Sequence, residues 1–224
     1  LITGAAGFLG SCITQGFLKQ GARVVLLSRS DNLKIQCEEY KRQFDKNKIN
    51  YYQIDFYYTS EFKFLLETIV NEYKIDILIN NAYDLSKNTG FNSPDGNLEN
   101  SSQDQWRMAF DSGIYWAVLT TQIIGHQFIS KNISGSIINI SSMYGIVAPD
   151  PEIYNDSELL NPASYGVGKA GILAFTRYVA SFWGKYNIRC NAISPGPFLD
   201  IQDNDSPHTK KFIENLNNKT VLGR

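Results

Sequence analysis

Short apolar runs alternate with longer amphipathic segments along this chain. Near-continuous apolar runs are typical of strands covered on both faces, whereas apolar residues recurring every three or four positions are typical of helices that pack on one side. The pattern predicts strands at residues 1–3, 23–27, 49–54, 75–79, 136–142 and 188–193. It predicts helices at residues 8–21, 33–44, 59–73, 103–128 and 161–183.

Strands that alternate with helices in this order predict an α/β fold. The expected architecture is a doubly wound parallel sheet of Rossmann-like type, with helices on both faces in three α/β/α layers. We expect one domain that spans residues 1–224, because no repeat, low-complexity tract or second domain is visible. The polar stretch at residues 83–102 is predicted to be a loop near the carboxyl edge of the sheet.

Composition and charge narrow the function classes. With 43% hydrophobic and 19% charged residues and a net charge of −1, the chain shows no sign of a nucleic-acid or membrane-surface partner. No apolar run approaches the roughly 20 residues needed to span a bilayer. The three cysteines and two histidines lack the spacing of a metal site or a disulfide framework, so we expect no metal and a cytoplasmic protein.

A glycine turn joins the first strand to the first helix. Gly4, Gly7 and Gly10 follow Thr3 in a Gly-x-x-Gly-x-x-Gly spacing. Glycines let backbone N–H groups approach a pyrophosphate, and a helix N-terminus favours its negative charge. A glycine turn is also used for strand–helix packing alone, so this signal depends on its context.

The end of the second strand carries Ser28 and Arg29 and no carboxylate. A carboxylate there would grip the adenosine ribose of NAD and repel a 2′-phosphate, whereas an arginine favours that phosphate. The sequence therefore favours NADP as the cofactor and leaves NAD open. Asp31 lies close by and counts against this preference, and Arg29 as a solvent-facing side chain is the alternative.

A tyrosine and a lysine four residues apart supply candidate acid–base chemistry. Asn161 and Pro162 predict a helix start, which places Tyr165 and Lys169 on one helical face. An ammonium one turn away favours the phenolate and would lower the pKa of Tyr165 from its usual value of about 10. Ser142, at the end of the preceding strand, is expected beside Tyr165. Tyr-x-x-x-Lys also arises by chance, and a Ser-Ser pair is often a turn.

In combination, these motifs resemble the short-chain dehydrogenase/reductase family, in its single-domain type. The resemblance implies that Tyr165 is the general acid or base, that Lys169 lowers its pKa and holds the nicotinamide ribose, and that Ser142 anchors the carbonyl. Tyr144 and Tyr154 are further substrate-side candidates. The cofactor contacts that it implies are Thr3, Gly4, Gly7, Phe8 and Leu9 at the pyrophosphate, Ser28 and Arg29 at the adenosine ribose, Asp55 and Phe56 at the adenine, Asn81, Ala82, Tyr165 and Lys169 at the second ribose, and Pro195, Gly196 and Pro197 at the nicotinamide.

The chain departs from the family pattern at several places. Gly113 aligns where many relatives have an asparagine that anchors a relay water, and Tyr83 stands where Asn-Asn-Ala is usually followed by glycine. About ten additional residues, including Pro149, Pro151 and Asp156, separate Ser142 from Tyr165 and are expected to border the substrate pocket. Relatives also continue with a last strand and a Gly-rich tail, and we expect both to be missing from residues 1–224.

The main hypothesis is an NADP-preferring oxidoreductase that interconverts a carbonyl and a secondary alcohol. The polar extension suggests a sugar derivative, such as one in surface-glycan biosynthesis. One alternative is a dinucleotide-binding sensor or assembly protein with impaired catalysis, and another is a nucleotide-sugar epimerase or dehydratase. The resemblance implies a homodimer or homotetramer paired through long helices, unless the apolar residues at 106–123 and 171–183 belong to the core.

Overall fold

A computed structural model describes residues 1–154, 160–197, 207–221 and 223. In this part of the chain, six strands form one parallel sheet in the order β3-β2-β1-β4-β5-β6. The strands are β1 (Ile2–Thr3), β2 (Val24–Ser28), β3 (Ile49–Gln53), β4 (Ile77–Asn80), β5 (Ser136–Ile140) and β6 (Arg189–Ile193). The predicted doubly wound architecture is confirmed.

Helices connect the strands and cover both faces of the sheet. They are α1 (Phe8–Lys19), α2 (Asn32–Gln43), α3 (Thr59–Glu72), α4 (Gln103–Phe110), α5 (Trp116–Ser130), α6 (Ala163–Trp183) and α7 (Pro207–Asn218). No helix in the described ranges is long and apolar enough to cross a membrane.

Alternation along β2 divides the core into two clusters. Val24 and Leu26 pack with α1 and α2 on one face, whereas Val25 and Leu27 pack with α3, α5 and α6 on the other. All four side chains are at most 3% exposed. Successive side chains of a strand point to opposite faces, so a continuous apolar run is what a sheet covered on both sides requires.

The helix predicted at residues 103–128 is interrupted. A π-helical turn at Asp111–Tyr115 separates α4 from α5. Such a bulge adds a residue to the turn and often marks a functional site. Apolar periodicity does not reveal it, because the pattern resumes on the far side. The turn places Gly113 against Gly168 of α6.

The predicted cap of α6 is wrong. Pro162 is the N-cap and the helix begins at Ala163, with no side-chain capping hydrogen bond. Asn161 therefore does not cap the helix, and its Oδ1 atom is buried without a hydrogen-bond partner among the described residues. Tyr165 and Lys169 still fall one turn apart on the same helix.

A buried glutamine joins α5 to the segment that precedes β4. The Gln127 side chain is 3% exposed. It accepts from the backbone N–H of Ile75 at 2.9 Å and donates to the carbonyls of Val70 at 2.6 Å and Tyr73 at 2.8 Å. These bonds satisfy backbone groups where α3 ends, so one side chain fixes the entry to the strand that carries Asn80.

We predict that Gln127→Leu lowers the free energy of unfolding by about 2–4 kcal/mol, because the Ile75 N–H and the Tyr73 carbonyl lose this partner and the Val70 carbonyl keeps only the 3.3 Å hydrogen bond from Lys131. Gln122→Leu is the matched control, since Gln122 is exposed on the same helix. Urea unfolding followed by circular dichroism measures both variants. Equal stability of the two variants would show that Gln127 does not hold this junction.

Candidate active site

A cleft of about 690 Å³ opens at the carboxyl ends of the strands. The chain goes from β1 to β2 and β3 on one side and returns to β4 on the other, so the strand order reverses beside β1. This switch point is where open α/β sheets bind ligands. The predicted site residues that line the cleft are Gly4, Gly7, Phe8, Leu9, Ser28, Arg29, Phe56, Asn81, Ala82, Ser142, Tyr144, Tyr154, Tyr165, Lys169, Pro195, Gly196 and Pro197.

The glycine turn forms a backbone cradle at the start of α1. Gly4 has a φ of +64°, a conformation that favours glycine. A Cβ at Gly10 would overlap the carbonyl oxygen of Gly4, so the turn closes only with glycine there. Gly7 caps α1 without a side-chain hydrogen bond. The first N–H groups of the helix border the cleft, and this cradle fits the pyrophosphate of a dinucleotide.

Two residues predicted to touch the cofactor, Thr3 and Asp55, are not among the described residues that line the cleft. Thr3 is buried, and its hydroxyl accepts from the backbone N–H groups of Asn81 at 3.0 Å and Ala82 at 3.1 Å. Asp55 accepts from the backbone N–H of Tyr57 at 3.1 Å. Neither residue lines the cleft. Thr3 instead fixes the loop after β4 against the glycine turn.

Asn81 also joins the loop after β4 to the glycine turn. Its Nδ2 atom donates to the carbonyl oxygens of Thr3 and Gly4, both at 3.1 Å. A Cβ at Gly4 would lie 2.8 Å from the Cα of Ala82. The ends of β1 and β4 are therefore packed backbone to backbone beneath the cleft.

Arg29 leaves the end of β2 and reaches the loop after β4. Its Nη2 atom lies 2.6 Å from Oδ1 of Asp84, whose side chain is fully buried. The Tyr57 hydroxyl donates to the other carboxylate oxygen at 2.9 Å. Burial raises the pKa of Asp84, but hydrogen bonds from Arg29, Tyr57 and Ser86 outweigh it and hold the pKa below its usual value. Sequence reasoning missed this ion pair because its partners are 55 residues apart.

Ser142, Tyr165 and Lys169 line one region of the cleft. Ser142 follows β5, and its hydroxyl accepts from the backbone N–H of Tyr144 at 3.2 Å. Lys169 is 5% exposed, and its ammonium donates to the carbonyl oxygen of Ile140 at 2.9 Å. The end of β5 thus holds both the serine and the lysine, while α6 supplies the tyrosine one turn before the lysine.

Burial shifts the pKa values of this group. It raises the pKa of Tyr165, which hydrogen bonding with Ser142 opposes, and it lowers the pKa of Lys169 to about 8. The net shift of Tyr165 is therefore upward, against the predicted direction. The physical reason is that both groups are withdrawn from water, and Lys169 Nζ faces the Tyr165 ring, 5.6 Å from its centroid.

Tyr83 and Gly113, two of the positions that depart from the family pattern, touch each other. A Cβ at Gly113 would lie 3.2 Å from Cε2 of the Tyr83 ring. The ring packs edge to face on Tyr165 with a centroid distance of 5.0 Å. Phe91 packs on Tyr165 in the same way at 5.1 Å. The two departures therefore form one packing arrangement around the tyrosine.

The additional residues between Ser142 and Tyr165 cover one end of the cleft. The hydroxyls of Tyr144 and Tyr154 are 3.1 Å apart and hydrogen-bonded. Tyr154 also packs on Phe212 of α7. Lys219 forms ion pairs of 2.8 Å with both Asp150 and Glu152, which joins the end of α7 to this segment. Asp156, predicted at the same border, lies outside the described residues.

Several cleft residues escaped sequence reasoning. Phe91 is an isolated aromatic in a polar loop, and that contrast is a usable signal. Phe212 and Leu216 lie four apart on α7, an amphipathic pattern that also points to packing. Further residues on the cleft wall that the sequence did not assign to the site include Ala6, Ser30, Ile54, Leu85, Asn92, Trp116, Ser141, Met143 and Leu160.

Fold and site together define a dinucleotide-dependent oxidoreductase, and comparisons with known proteins specify its family. The family described as enoyl-(acyl carrier protein) reductase matches residues 4–224. The chain belongs to the short-chain dehydrogenase/reductase family, and it is an enzyme of that class. The predicted family and enzyme class are confirmed.

Two relatives and one solved structure that align with the whole chain illustrate the similarity. A 7alpha-hydroxysteroid dehydrogenase of Bacteroides fragilis is 30% identical and aligns with 100% of this chain and 78% of its own. The sorbose reductase of Candida albicans is 28% identical over 100% of this chain and 73% of its own. A short-chain dehydrogenase of Leptospira borgpetersenii with bound NAD+ is 31% identical, with a TM-score of 0.80 over 100% of this chain and 78% of its own.

We predict that Gly10→Ala weakens binding of NADH and NADPH at least tenfold, because the added methyl group displaces Gly4 from the cradle. Gly16→Ala is the control on the same helix, since a Cβ there meets nothing within 4 Å. It should leave binding unchanged and stabilise the helix by about 0.5–1 kcal/mol. Fluorescence titration gives both affinities. Unchanged binding to the folded Gly10 variant would remove the glycine turn from the cofactor site.

Proposed function

We propose that the enzyme interconverts a carbonyl and a secondary alcohol, with Tyr165 as the proton donor and acceptor. The observation that carries this proposal is that Ser142, Tyr165 and Lys169 line the same cleft as the glycine cradle. A bound nicotinamide cofactor supplies or accepts the hydride. The protein has to hold the substrate oxygen, exclude water and move one proton.

Each member of the group has a distinct part in the proposal. The Ser142 hydroxyl donates a hydrogen bond to the substrate oxygen and stabilises the charge that develops there. Tyr165 gives its phenolic proton to that oxygen during reduction and removes it during oxidation. Lys169 stays protonated below about pH 8 and stabilises the phenolate left after transfer. A proton from solvent then restores the phenol.

We propose a neutral substrate that carries hydroxyl groups on a partly apolar ring. Among the described residues that line the cleft, Arg29 and Lys169 are the cations and there is no carboxylate. Asp84 partly neutralises the charge of Arg29, and Lys169 is buried and donates to the Ile140 carbonyl. These residues therefore offer little charge to the diphosphate of a nucleotide sugar, which counts against the epimerase or dehydratase alternative.

The substrate end of the cleft supports this choice of substrate. Phe91, Leu160, Phe212 and Leu216 supply apolar contacts, and the hydroxyls of Tyr144 and Tyr154 are paired. Neutral sugars and hydroxylated alicyclic rings both present an apolar face with hydroxyls at its edge. Sugar ketones and hydroxysteroids are accordingly the first classes to screen, with a surface-glycan precursor as one sugar candidate.

We propose a modest preference for NADP over NAD. The end of β2 carries Ser28 and Arg29 with no carboxylate at these positions, and 44% of the Arg29 side chain is exposed. The ion pair with Asp84 uses one guanidinium nitrogen of Arg29. The guanidinium has five N–H donors, so others are left for a phosphate. Asp84 neutralises part of the charge that a 2′-phosphate would meet, so the preference is expected to be several-fold and not absolute.

Pairing of the protein through its long helices stays a prediction. Tyr178 and Phe182 stack on the outer surface of α6 at a centroid distance of 4.3 Å, and they are 58% and 57% exposed. An exposed aromatic pair of this kind is compatible with a subunit contact. Sedimentation velocity of the wild type and of Phe182→Glu tests it.

We predict that Tyr165→Phe lowers kcat at least 1000-fold while cofactor binding changes little, because the proton donor is lost and the ring is kept. Tyr178→Phe, on the exposed side of the same helix, is the control. The assay follows NADPH or NADH absorbance with a panel of sugar ketones and oxidised steroids. Turnover by the Tyr165 variant at the wild-type rate would contradict the proposed role.

We predict that Arg29→Gln weakens NADPH binding about tenfold and leaves NADH binding within about twofold, because one charge-assisted contact to the 2′-phosphate is lost. Titration of the wild type and the variant with each cofactor gives the four dissociation constants. An equal loss for both cofactors would show that Arg29 acts by holding Asp84 and not by contacting the phosphate.

A further inference from the structure

Lys169 carries a buried charge with few hydrogen-bond partners. Its side chain is 5% exposed, and the hydrogen bond to the Ile140 carbonyl accounts for one of its three N–H donors. In the described part of the chain no carboxylate forms an ion pair with it. Burial of a charge without compensation favours its neutral form. Any group that stabilises this ammonium raises its pKa and widens the pH range in which it stays charged.

Two aromatic rings face this ammonium, and the ring of Tyr83 is the closer one. Lys169 Nζ lies 5.1 Å from the centroid of this ring, closer than the 5.6 Å to the centroid of the Tyr165 ring. A cation within about 6 Å of an aromatic face is attracted by the ring quadrupole, and the attraction is strongest where water is excluded. The two aromatic rings therefore stabilise the buried ammonium, as a carboxylate does in other buried sites.

The Tyr83 ring reaches this position because residue 113 has no side chain. The π-helical turn brings Gly113 within contact of the ring, where a Cβ would be 3.2 Å from Cε2 and 3.5 Å from the Cα of Gly168. Phe91 supports the ring from another side, at a centroid distance of 6.1 Å. The ring is held on several sides and has little room to move away from the ammonium.

The ring and not the hydroxyl makes this contact. The Tyr83 hydroxyl is buried and makes no hydrogen bond of 3.5 Å or less among the described residues; Thr89 is near enough to oppose the rise of its pKa, but its hydroxyl donates to the carbonyls of Asp84 and Ser86. Burial raises the pKa of both Tyr83 and Tyr165, so both phenols that face Lys169 are neutral near pH 7. Asp84, next to Tyr83 in sequence, is paired with Arg29 and the Tyr57 hydroxyl. From β5 the contact with Nζ is the Ile140 carbonyl, and from the π-helical turn Gly113 lies against the Tyr83 ring.

We propose that Tyr83 is a positioning residue whose ring keeps Lys169 charged and in place beside Tyr165. The absence of a side chain at Gly113 leaves the room that this ring occupies. The expected effect of Tyr83 on catalysis rests on the proposed function. Its expected effect on the charge of Lys169 does not. The proposal separates two properties of one side chain, since the ring is required and the hydroxyl is dispensable.

The test is the pKa of Lys169 itself, measured by NMR on the full protein labelled with 13C-lysine. Loss of one signal in Lys169→Met assigns the resonance. The wild type should titrate near the pKa of about 8 that burial dictates. In Tyr83→Leu the pKa should fall by roughly one unit, because the neutral form gains when the ring is removed. In Tyr83→Phe it should not change.

Matched variants distinguish this effect from general damage to the site. Tyr178→Leu removes a ring from the exposed side of the same helix, away from Lys169, so it should leave the Lys169 pKa unchanged. Gly113→Asn should lower the pKa by pushing the Tyr83 ring aside. If Tyr83→Leu does not fold, Tyr83→Met takes its place, because methionine is closer in length to the lost ring.

The activity profile adds a second readout. With a substrate in hand, the alkaline limb of kcat should move to lower pH in Tyr83→Leu, because the ammonium is lost earlier as pH rises, and it should stay in place in Tyr83→Phe. Absence of turnover together with the NMR shift would overturn the proposed function and leave the role of Tyr83 supported. A Lys169 pKa that is equal in all variants, or that falls as far with Phe as with Leu, would overturn the role of Tyr83.

Discussion

Burial of the Lys169 ammonium is the constraint on which the active-site region depends. A charge withdrawn from water has to be compensated, and here the compensation is a strand-end carbonyl from Ile140 with two aromatic rings. The rings in turn need space, which the π-helical turn and the glycines of α6 create. Gly113 and Gly168 let α6 approach the π-helical turn between α4 and α5 closely at this place.

The opposite side of the cleft depends on close backbone contact and not on charge. The glycine turn, Thr3 and Asn81 join the ends of β1 and β4 through hydrogen bonds of 3.0–3.1 Å. This junction fixes the cradle at the start of α1. The ion pair between Arg29 and Asp84 extends the same wall toward β2. These hydrogen bonds and the ion pair fix the position of the glycine cradle, which suits an enzyme whose reacting atoms have to meet at a fixed distance.

The other end of the cleft is assembled differently. The segment before α6 and the helix α7 are far apart in sequence, and they meet through Tyr154, Phe212 and the ion pairs of Lys219. Toward the cleft they contribute Phe212, Leu216 and the paired hydroxyls of Tyr144 and Tyr154. Within one family, variation of such segments changes the substrate while the sheet and the cofactor cradle stay the same.

The sequence by itself determined the order of strands and helices, the sheet type and the glycine cradle, because these depend on local periodicity and on backbone freedom at single residues such as Gly4. It also placed Tyr165 and Lys169 one turn apart, since helical spacing is local. The direction of the Tyr165 pKa shift, the partner of Arg29 and the contact between Tyr83 and Gly113 were decided only by the tertiary structure. Each of these depends on burial or on groups distant in the chain, and such contacts leave no local pattern in a sequence.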